Sequence, residues 1–331
     1  MGEWAGQVTL INVGNGDAIL VEIPDMDCHE GKFIMIIDGG SGEASEYENQ
    51  STGRIRAVDY LEKKGIRHID VMVNTHIHED HTCGLLSIAH RWTPGELWQI
   101  LPKDVIMMMK QLTQKAQTES ESKFIAALND YRELCNLVED RGGRVIQMTP
   151  HHTGCKSICL AKGAYVKVLG PERQALDRQI RWMKELYQEG NTGVLPLMDK
   201  HMNSASMLQH LTCGGKTFLL TGDTENTCYT GCMQEIKADV FKIGHHGQTN
   251  SLTPEILHAV SPQFAAICVS SDRRYNSAAP QILKMLHDAK IPVYYSDCPD
   301  VPPYTDGIEP HHAVVFRVMK EGELCTFYQK M

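Results

Sequence analysis

Short apolar runs rich in Val and Ile alternate along this chain with longer stretches in which apolar residues recur every three or four positions. The short runs have the length and composition of buried β-strands, and the longer stretches have the spacing of amphipathic helices. In the first part of the chain the apolar runs occupy residues 8–13, 18–23, 33–37 and 69–74. A helix is predicted over residues 55–64, where Gly65 follows the last apolar turn.

The middle of the chain has a different pattern. A short helix over residues 84–90 and a strand over residues 96–101 are followed by residues 104–141, the longest region without a convincing strand pattern. Apolar residues recur there at helical spacing, which predicts two helices separated near residues 118–122.

The second half again places strands before helices. Strands are predicted at residues 144–148, 165–169, 207–211, 216–220, 240–243, 264–269, 291–295, 312–318 and 324–329, and helices at residues 172–189, 254–260 and 281–289. The segment 191–202 contains Gly193 and Pro196 and is predicted to be a loop. We therefore expect one domain over residues 1–331, with an α/β fold of four layers in the order αββα and functional residues at the strand ends.

Composition narrows the class of protein. A net charge of −9 over 331 residues argues against a broad, nonspecific hold on nucleic acid, although it leaves a nucleotide or a short nucleic-acid end open as a substrate. The apolar runs are far shorter than the roughly 20 residues of a membrane span, so we expect no span. The start of the chain lacks a signal-peptide pattern, and the 11 cysteines are scattered without paired spacing. These features favour a cytoplasmic protein.

The strongest chemical signal is a group of four potential metal ligands, His76, His78, Asp80 and His81, directly after the strand at residues 69–74. Imidazole nitrogens and carboxylate oxygens suit zinc and its first-row neighbours. Burying four such groups without a purpose would be costly. His76 and His78 point the same way on an extended backbone, whereas Asp80 and His81 lie past the bend. This division predicts two metal ions.

Further ligands are expected from the second half of the chain. Asp223 follows an apolar strand and is predicted to bridge the two metals, with a helix cap near Glu225 as the structural alternative. His245 and His246 also follow a strand and precede Gly247. We favour His246 as a metal ligand and His245 as a substrate contact, and the sequence leaves the opposite assignment open.

Taken in order, these segments resemble the metallo-β-lactamase-fold hydrolases, and most of all the ComEC-like branch, whose members include the hydrolase domain of a bacterial DNA-uptake channel. The segments that carry the resemblance are residues 12–20, 36–40, 75–81, 203–206, 219–223 and 242–247. The resemblance implies an αββα sandwich, in agreement with the pattern of strands and helices. Residues 104–141 are longer than the basic fold requires, which predicts a helical insertion that serves as a lid, a partner surface or a site of self-association.

One departure from the superfamily concerns the metal ligands. Much of the superfamily supplies a histidine between the first cluster and Asp223, but here, as in the ComEC-like branch, Asn203 occupies that place. His201 lies two residues earlier and is an alternative ligand. The first metal site is therefore expected to lack one protein ligand unless Asn203 or His201 supplies it.

These features together predict a hydrolase with two divalent ions, with zinc favoured and manganese as the alternative. A hydroxide shared by two metals would attack a phosphodiester. Asp80 would orient this nucleophile, and His245 would stabilise the transition state or protonate the leaving oxygen. Asp38 would hold a ligand histidine, or else only form a turn before two glycines. Arg273 and Arg274 would meet a phosphate or remain solvated.

Two other functions remain open at this stage. The same ligands would serve hydrolysis of a carboxylic ester, thioester, lactone or β-lactam, because a bridging hydroxide attacks carbonyl carbon as well as phosphorus. A non-catalytic sensor or binding module that holds metal is the third interpretation, with residues 104–141 as its interface. The substrate is expected to be a small molecule, a nucleotide or a nucleic-acid end.

Overall fold

The computed structural model describes the backbone of residues 3–331 and, except at Gln50, their side chains. The strands are β1 Trp4–Ile11, β2 Ile19–Pro24, β3 Lys32–Ile37, β4 Val71–Val73, β5 Glu96–Gln99, β6 Arg144–Gln147, β7 Ile158–Ala161, β8 Ala164–Val168, β9 Gln209–Cys213, β10 Lys216–Leu220, β11 Val240–Lys242, β12 Phe264–Ile267, β13 Val293–Tyr295, β14 Ala313–Met319 and β15 Leu324–Gln329. The α-helices are α1 Ala57–Lys63, α2 Glu79–Arg91, α3 Lys103–Met108, α4 Glu119–Asp140, α5 Pro150–Thr153, α6 Arg173–Glu189, α7 Leu195–His201, α8 Pro254–Val260 and α9 Pro280–Asp288.

Within residues 3–331 these strands form two sheets. One has eight strands in the order β15-β14-β1-β2-β3-β4-β5-β6, and the other has seven in the order β13-β12-β11-β10-β9-β8-β7. Strands β3 to β6 are parallel to one another, and so are β10 to β13. The carboxyl ends of parallel strands meet at one edge of a sheet, where the loops that follow them converge.

The two sheets pack face to face through apolar side chains. Phe218 of β10 meets Phe316 of β14 edge to face, with ring centroids 6.4 Å apart. The backbones also approach closely, because a Cβ atom on Gly6 would lie only 1.8 Å from the Sγ of Cys213. The core between the sheets is continuous with the side chains under α1, α2 and α4, and a second core lies under α8 and α9. The predicted αββα sandwich is confirmed.

The helical region of residues 104–141 contains α3 and α4, as predicted, but the break between them spans residues 109–118. Helix α4 packs against α2, β5, β6 and α7. Among the described residues, no helix is long and apolar enough to cross a bilayer.

The loop predicted over residues 191–202 is wrong, because most of this segment forms α7. Pro196 lies in the first turn of that helix, where proline loses no hydrogen bond. Gly193 lies before the helix in a short 3-10 turn. The pattern also missed β7 and the four-residue helix α5.

Candidate metal centre

The first ligand group lies where β4 gives way to α2. His76 follows β4 after two residues, His78 is the N-cap residue of α2, and Asp80 and His81 lie in the first turn of that helix. The turn is held by Asn74, whose Nδ2 donates to the carbonyl of His76 at 3.1 Å. The change from strand to helix therefore separates the two pairs of ligands, as their spacing predicted.

Close backbone contacts fix the start of α2 in place. A Cβ atom on Gly84 would lie 1.9 Å from the carbonyl oxygen of Gly39, so only glycine permits this approach of α2 to the loop after β3. A Cβ atom on Gly16 would lie 2.0 Å from the carbonyl oxygen of Asp80. Three separate segments are thus packed together around the first turn of α2.

The second ligand group comes from the other sheet. Asp223 follows β10, and His245 and His246 follow β11. These two strands are parallel, with Phe218 opposite Val240, so both loops leave the same edge. His245 and His246 have φ values of 46° and 50°, which are unusual for residues with a side chain. Backbone strain of this kind concentrates at functional sites.

The two groups meet around the carboxylate of Asp223. Its Oδ2 lies 3.4 Å from His81 Nε2 and 3.2 Å from His246 Nε2. His246 Nε2 also lies 3.3 Å from Asp80 Oδ2. The structure therefore brings together Asp80 and His81, from the first turn of α2, with Asp223 and His246, from two loops that follow strands of the other sheet.

This cluster has the chemistry of a metal site. Among the described residues, His81 Nε2, His246 Nε2 and Asp223 Oδ1 are buried and have no hydrogen-bond partner. Unsatisfied buried donors and acceptors are costly, and each needs an explanation. Imidazole nitrogens and a carboxylate oxygen that face one another in this way fit a divalent cation. Together with Asp17, the ligand atoms of His81, Asp223 and His246 all lie within 4.8 Å of one another.

The outer nitrogens of these histidines are all occupied. His81 Nδ1 lies 2.8 Å from Asp38 Oδ2, and His246 Nδ1 lies 3.0 Å from the carbonyl oxygen of Cys268. Asp38 is itself fixed, because the backbone N–H of Thr75 donates to its Oδ1 at 2.8 Å. Such partners set the tautomer and orientation of a ligand histidine. The structure thus places Asp38 where it can hold His81.

His76 and His78 form the other half of the site. His76 Nε2 lies 3.1 Å from His78 Nδ1, and the ring of His76 lies 4.2 Å from that of His81. Burial, together with the neighbouring His81 and His78, holds the pKa of His76 well below its usual range. A neutral imidazole is the form that binds metal.

His78 is oriented by a residue that the sequence did not indicate. Its Nε2 lies 3.2 Å from both the carbonyl oxygen and Oδ1 of Asp199, on α7. Asp199 Oδ2 accepts a hydrogen bond of 2.5 Å from Ser120 at the start of α4, and the ring of Phe124 packs edge to face against His78. The predicted insertion therefore forms one wall of the site.

The electrostatics show how strongly the cluster favours positive charge. Burial favours the neutral form of Asp223, yet the neighbouring His246 and His81 hold its pKa well below its usual range. Burial lowers the pKa of His246, but Asp223 and Asp80 outweigh burial and raise it to about 10. Ionised carboxylates thus hold protons on these histidines. A bound divalent ion would replace those protons, because metal binding and protonation compete for the same nitrogens.

Three further residues complete the polar shell, and all three lie in segments noted above, residues 12–20 and 242–247. Lys242 is fully buried, pairs with Asp17 and donates to the carbonyl of Gly222 at 2.7 Å. Asn15 donates from Nδ2 to Asp80 Oδ2 at 2.8 Å. The sequence placed these residues in segments that carry the resemblance, but it gave none of the three a role at the site.

Asn203 and His245 lie side by side, with Asn203 Nδ2 2.9 Å from His245 Nε2. His245 Nδ1 lies 2.8 Å from Asn250 Oδ1. His201 stacks on Trp182 instead, with ring centroids 5.8 Å apart. Of the two candidates for the missing ligand position, only Asn203 therefore lies in the cleft.

The cleft has a volume of about 240 Å³, and Asn203, Asp223 and His246 lie in its wall. Arg274 and Tyr275 line it from the loop after β12, and Lys123 lines it from α4. Arg274 already pairs with Glu46 and Asp272, and Arg273 donates to Asn276 at 3.0 Å. Arg274 is thus held by two carboxylates at the wall of the cleft, and Arg273 is not among the described residues that line it, so a phosphate contact stays a prediction for both.

A buried group of histidines and carboxylates at the edge of an αββα sandwich defines a class of metal-dependent hydrolase. The family model of the metallo-beta-lactamase superfamily matches residues 11–271, and the chain belongs to that superfamily. ComE operon protein 3 of Bacillus subtilis (strain 168) is 26% identical over 302 residues, which are 88% of this chain and 32% of that protein. The chain thus spans about a third of the length of this relative, in agreement with the ComEC-like branch predicted from the sequence.

The chain is also similar to solved structures that are more distant in sequence. CmlA, a diiron beta-hydroxylase from Streptomyces venezuelae, is 15% identical with a TM-score of 0.47, covering 87% of this chain and 52% of CmlA. Zinc-bound PqqB from Methylobacterium extorquens is 11% identical with a TM-score of 0.44, covering 88% of this chain and 98% of PqqB.

Proposed function

We propose that this protein is a dinuclear metal-dependent phosphodiesterase. His76 and His78 would hold one divalent ion, and Asp80, His81 and His246 the other. Asp223 would serve both ions. The observation that carries the proposal is the position of Asp223 Oδ2 between the unpaired Nε2 atoms of His81 and His246. Zinc suits this mixture of imidazoles and carboxylates, and manganese is the alternative.

When bound, divalent ions supply a Lewis acid and a water molecule that ionises near neutral pH. The protein contributes positioning. Asn15 fixes Asp80, which faces the cleft and would orient the attacking water. The Asn250 oxygen accepts from His245 Nδ1–H, because the Nδ2 of Asn250 donates to Glu225 at 2.7 Å. This contact leaves His245 Nε2 as an acceptor beside Asn203.

Asn203 Nδ2 donates to this atom at 2.9 Å, so once the amide turns to the substrate His245 would take a proton at Nε2 from the attacking water and return it to the leaving oxygen. The new bond joins the water oxygen to phosphorus, and the bond from phosphorus to the leaving oxygen breaks. Asn203 would contact a phosphoryl oxygen, because its side chain lines the cleft next to His245. Lys123 also lines the cleft, where it pairs with Glu119 at 3.1 Å and with Glu43 at 3.6 Å.

Two measurements test this proposal. Metal content of the purified protein is expected to reach at least two equivalents, and bis-p-nitrophenyl phosphate should be hydrolysed in zinc or manganese. Asp223→Asn should lower turnover by more than about 100-fold, whereas His201→Ala, whose side chain stacks on Trp182, serves as the matched control. Less than half an equivalent of metal and no metal-dependent turnover would rule out the proposal.

A substrate panel separates this function from its alternatives. Preferred turnover of a carboxylic ester, thioester, lactone or β-lactam would replace the phosphodiesterase assignment but retain the metal centre. Bound metal with no turnover of any substrate would favour the sensor or binding module, and Asn203 in place of a ligand histidine makes that test necessary.

A further inference from the structure

We propose a second, peripheral zinc site formed by His29, Glu30 and His68, independent of the catalytic proposal. Each of these residues has a ligand atom within 4.8 Å of the others. The rings of His29 and His68 have centroids 4.4 Å apart and are tilted by 59°. Two imidazoles and a carboxylate are a sufficient set of protein ligands for zinc, with a fourth position left for water or another ligand.

His68 is prepared for metal binding in the same way as the histidines of the main centre. Its Nε2 lies 3.2 Å from the carbonyl oxygen of Lys32 and 3.3 Å from Asp70 Oδ2. A nitrogen facing two acceptors carries the proton, so the lone pair belongs to Nδ1. That Nδ1 is buried, has no hydrogen-bond partner among the described residues and lies 3.9 Å from Glu30 Oε2. A metal ion would satisfy both atoms.

His29 and Glu30 are presented by an ordered turn. The segment between β2 and β3 is closed by the backbone N–H of Gly31, which donates to the carbonyl of Cys28 at 3.0 Å. Glu30 has a φ of 52°, an unfavourable value for a residue with a side chain. Zinc binding would stabilise this conformation by joining the turn to the segment before β4.

The peripheral site lies at the opposite end of the strands from the main centre. His29 and Glu30 precede β3 and His68 precedes β4, whereas Asp38 follows β3 and His76 follows β4. The six residue-to-residue steps from Lys32 to Asp38 span about 20 Å at the rise of a β-strand. No ligand is therefore shared between the two sites. A cleft of about 530 Å³ adjoins the peripheral site, and His29 and His68 are among the residues that line this cleft.

The test counts zinc in three forms of the full chain. The double variant His29→Ala and His68→Ala removes the proposed imidazoles. The matched control removes two exposed histidines elsewhere, His90 and His287, by the same substitution. After equilibration with zinc and gel filtration, the first variant should retain one equivalent less than the wild type, and the control should retain as much as the wild type.

Two further readouts keep the test decisive. Cobalt substitution of the wild type should show an absorption component that the double variant lacks, and the zinc-dependent rise in unfolding temperature should be smaller in the variant. Turnover per metal retained at the main centre should be unchanged. If the double variant unfolds, His29→Ala alone replaces it, since His29 is exposed. Equal zinc content in the wild type and in a folded variant, or an equal loss in the control, would overturn the proposal.

Discussion

The contact between His78 and Asp199 predicts that a residue on α7 controls metal affinity in the first half of the centre. Asp199→Ala removes the carboxylate that faces His78 Nε2 at 3.2 Å, but leaves the backbone carbonyl of residue 199 at the same distance. The imidazole would retain one of its two acceptors. Its tautomer would then be less strongly fixed, and its Nδ1 less often free to bind metal.

The size of the effect follows from these two acceptors. A hydrogen bond to a charged group contributes about 1.5–3 kcal/mol, and loss of such an outer partner typically costs 10–100-fold in metal affinity. Because the carbonyl oxygen remains, we expect the lower end of this range for Asp199→Ala. That is a loss of about 10-fold, or about 1.4 kcal/mol, for one of two bound metals.

The assay is a competition titration with a chelator, using zinc and then cobalt, on proteins of verified fold. Asp199→Asn keeps an oxygen acceptor and should lose less affinity than Asp199→Ala. Lys200→Ala changes the next residue of the same helix and is the matched control. Ser120→Ala should weaken binding of the same metal ion, because Ser120 donates a hydrogen bond to Asp199 Oδ2. If Asp199→Ala binds both metals as tightly as the wild type, the orienting role of this carboxylate is refuted.

Three other predictions concern stability and metal dependence. Gly84→Ala would force a methyl group against the carbonyl oxygen of Gly39. It should lower the free energy of unfolding, measured in urea, by at least about 2 kcal/mol. Gly231→Ala is the control and should change this free energy little, because a Cβ atom there would meet only a side-chain oxygen at 3.6 Å. An equal effect at both glycines would contradict this reasoning. Lys242→Met would leave the buried Asp17 without its lysine partner, with only His246 Nδ1 3.6 Å away, and should cost about 3–5 kcal/mol in the same assay, and a change under 1 kcal/mol would contradict it. Removal of metal with a chelator should lower the unfolding temperature and abolish turnover, both restored by zinc or manganese, and full activity after verified metal removal would argue against a metal-dependent reaction.

The ligands that could be predicted from sequence are those that follow apolar strands. His76 and Asp223 each lie just past a short run of Val, Ile, Leu or Phe, and parallel strands bring such positions to one edge. The sequence around such a strand predicts candidate ligands because the two-residue period of the strand and the bend that follows it determine where each side chain points. The convergence of the two sheets was expected from the resemblance and not from any local feature.

The residues that were missed depend on contacts between distant segments. Lys242, on β11, and Asp17, in the loop between β1 and β2 of the other sheet, are a buried pair, and neither shows its partner in the sequence. Asp199 was missed because Gly193 and Pro196 predicted a loop where α7 forms. Strand β7 was missed because its side chains are mostly half-buried or exposed, which weakens the apolar pattern.

The role of the helical insertion can be argued from the same contacts. Its helix α4 supplies Ser120 and Phe124 to the half of the centre that contains His78, and Asn203 occupies the position where much of the superfamily has a ligand histidine. On the proposed assignment, the half with one protein ligand fewer would also be the half next to α4. Orientation of His78 by α4 and α7 would compensate in part for the missing ligand, because a preorganised imidazole loses less freedom on binding metal. We therefore expect the insertion to act on metal binding as well as on access to the cleft, and shortening α4 should weaken metal affinity before it changes substrate preference.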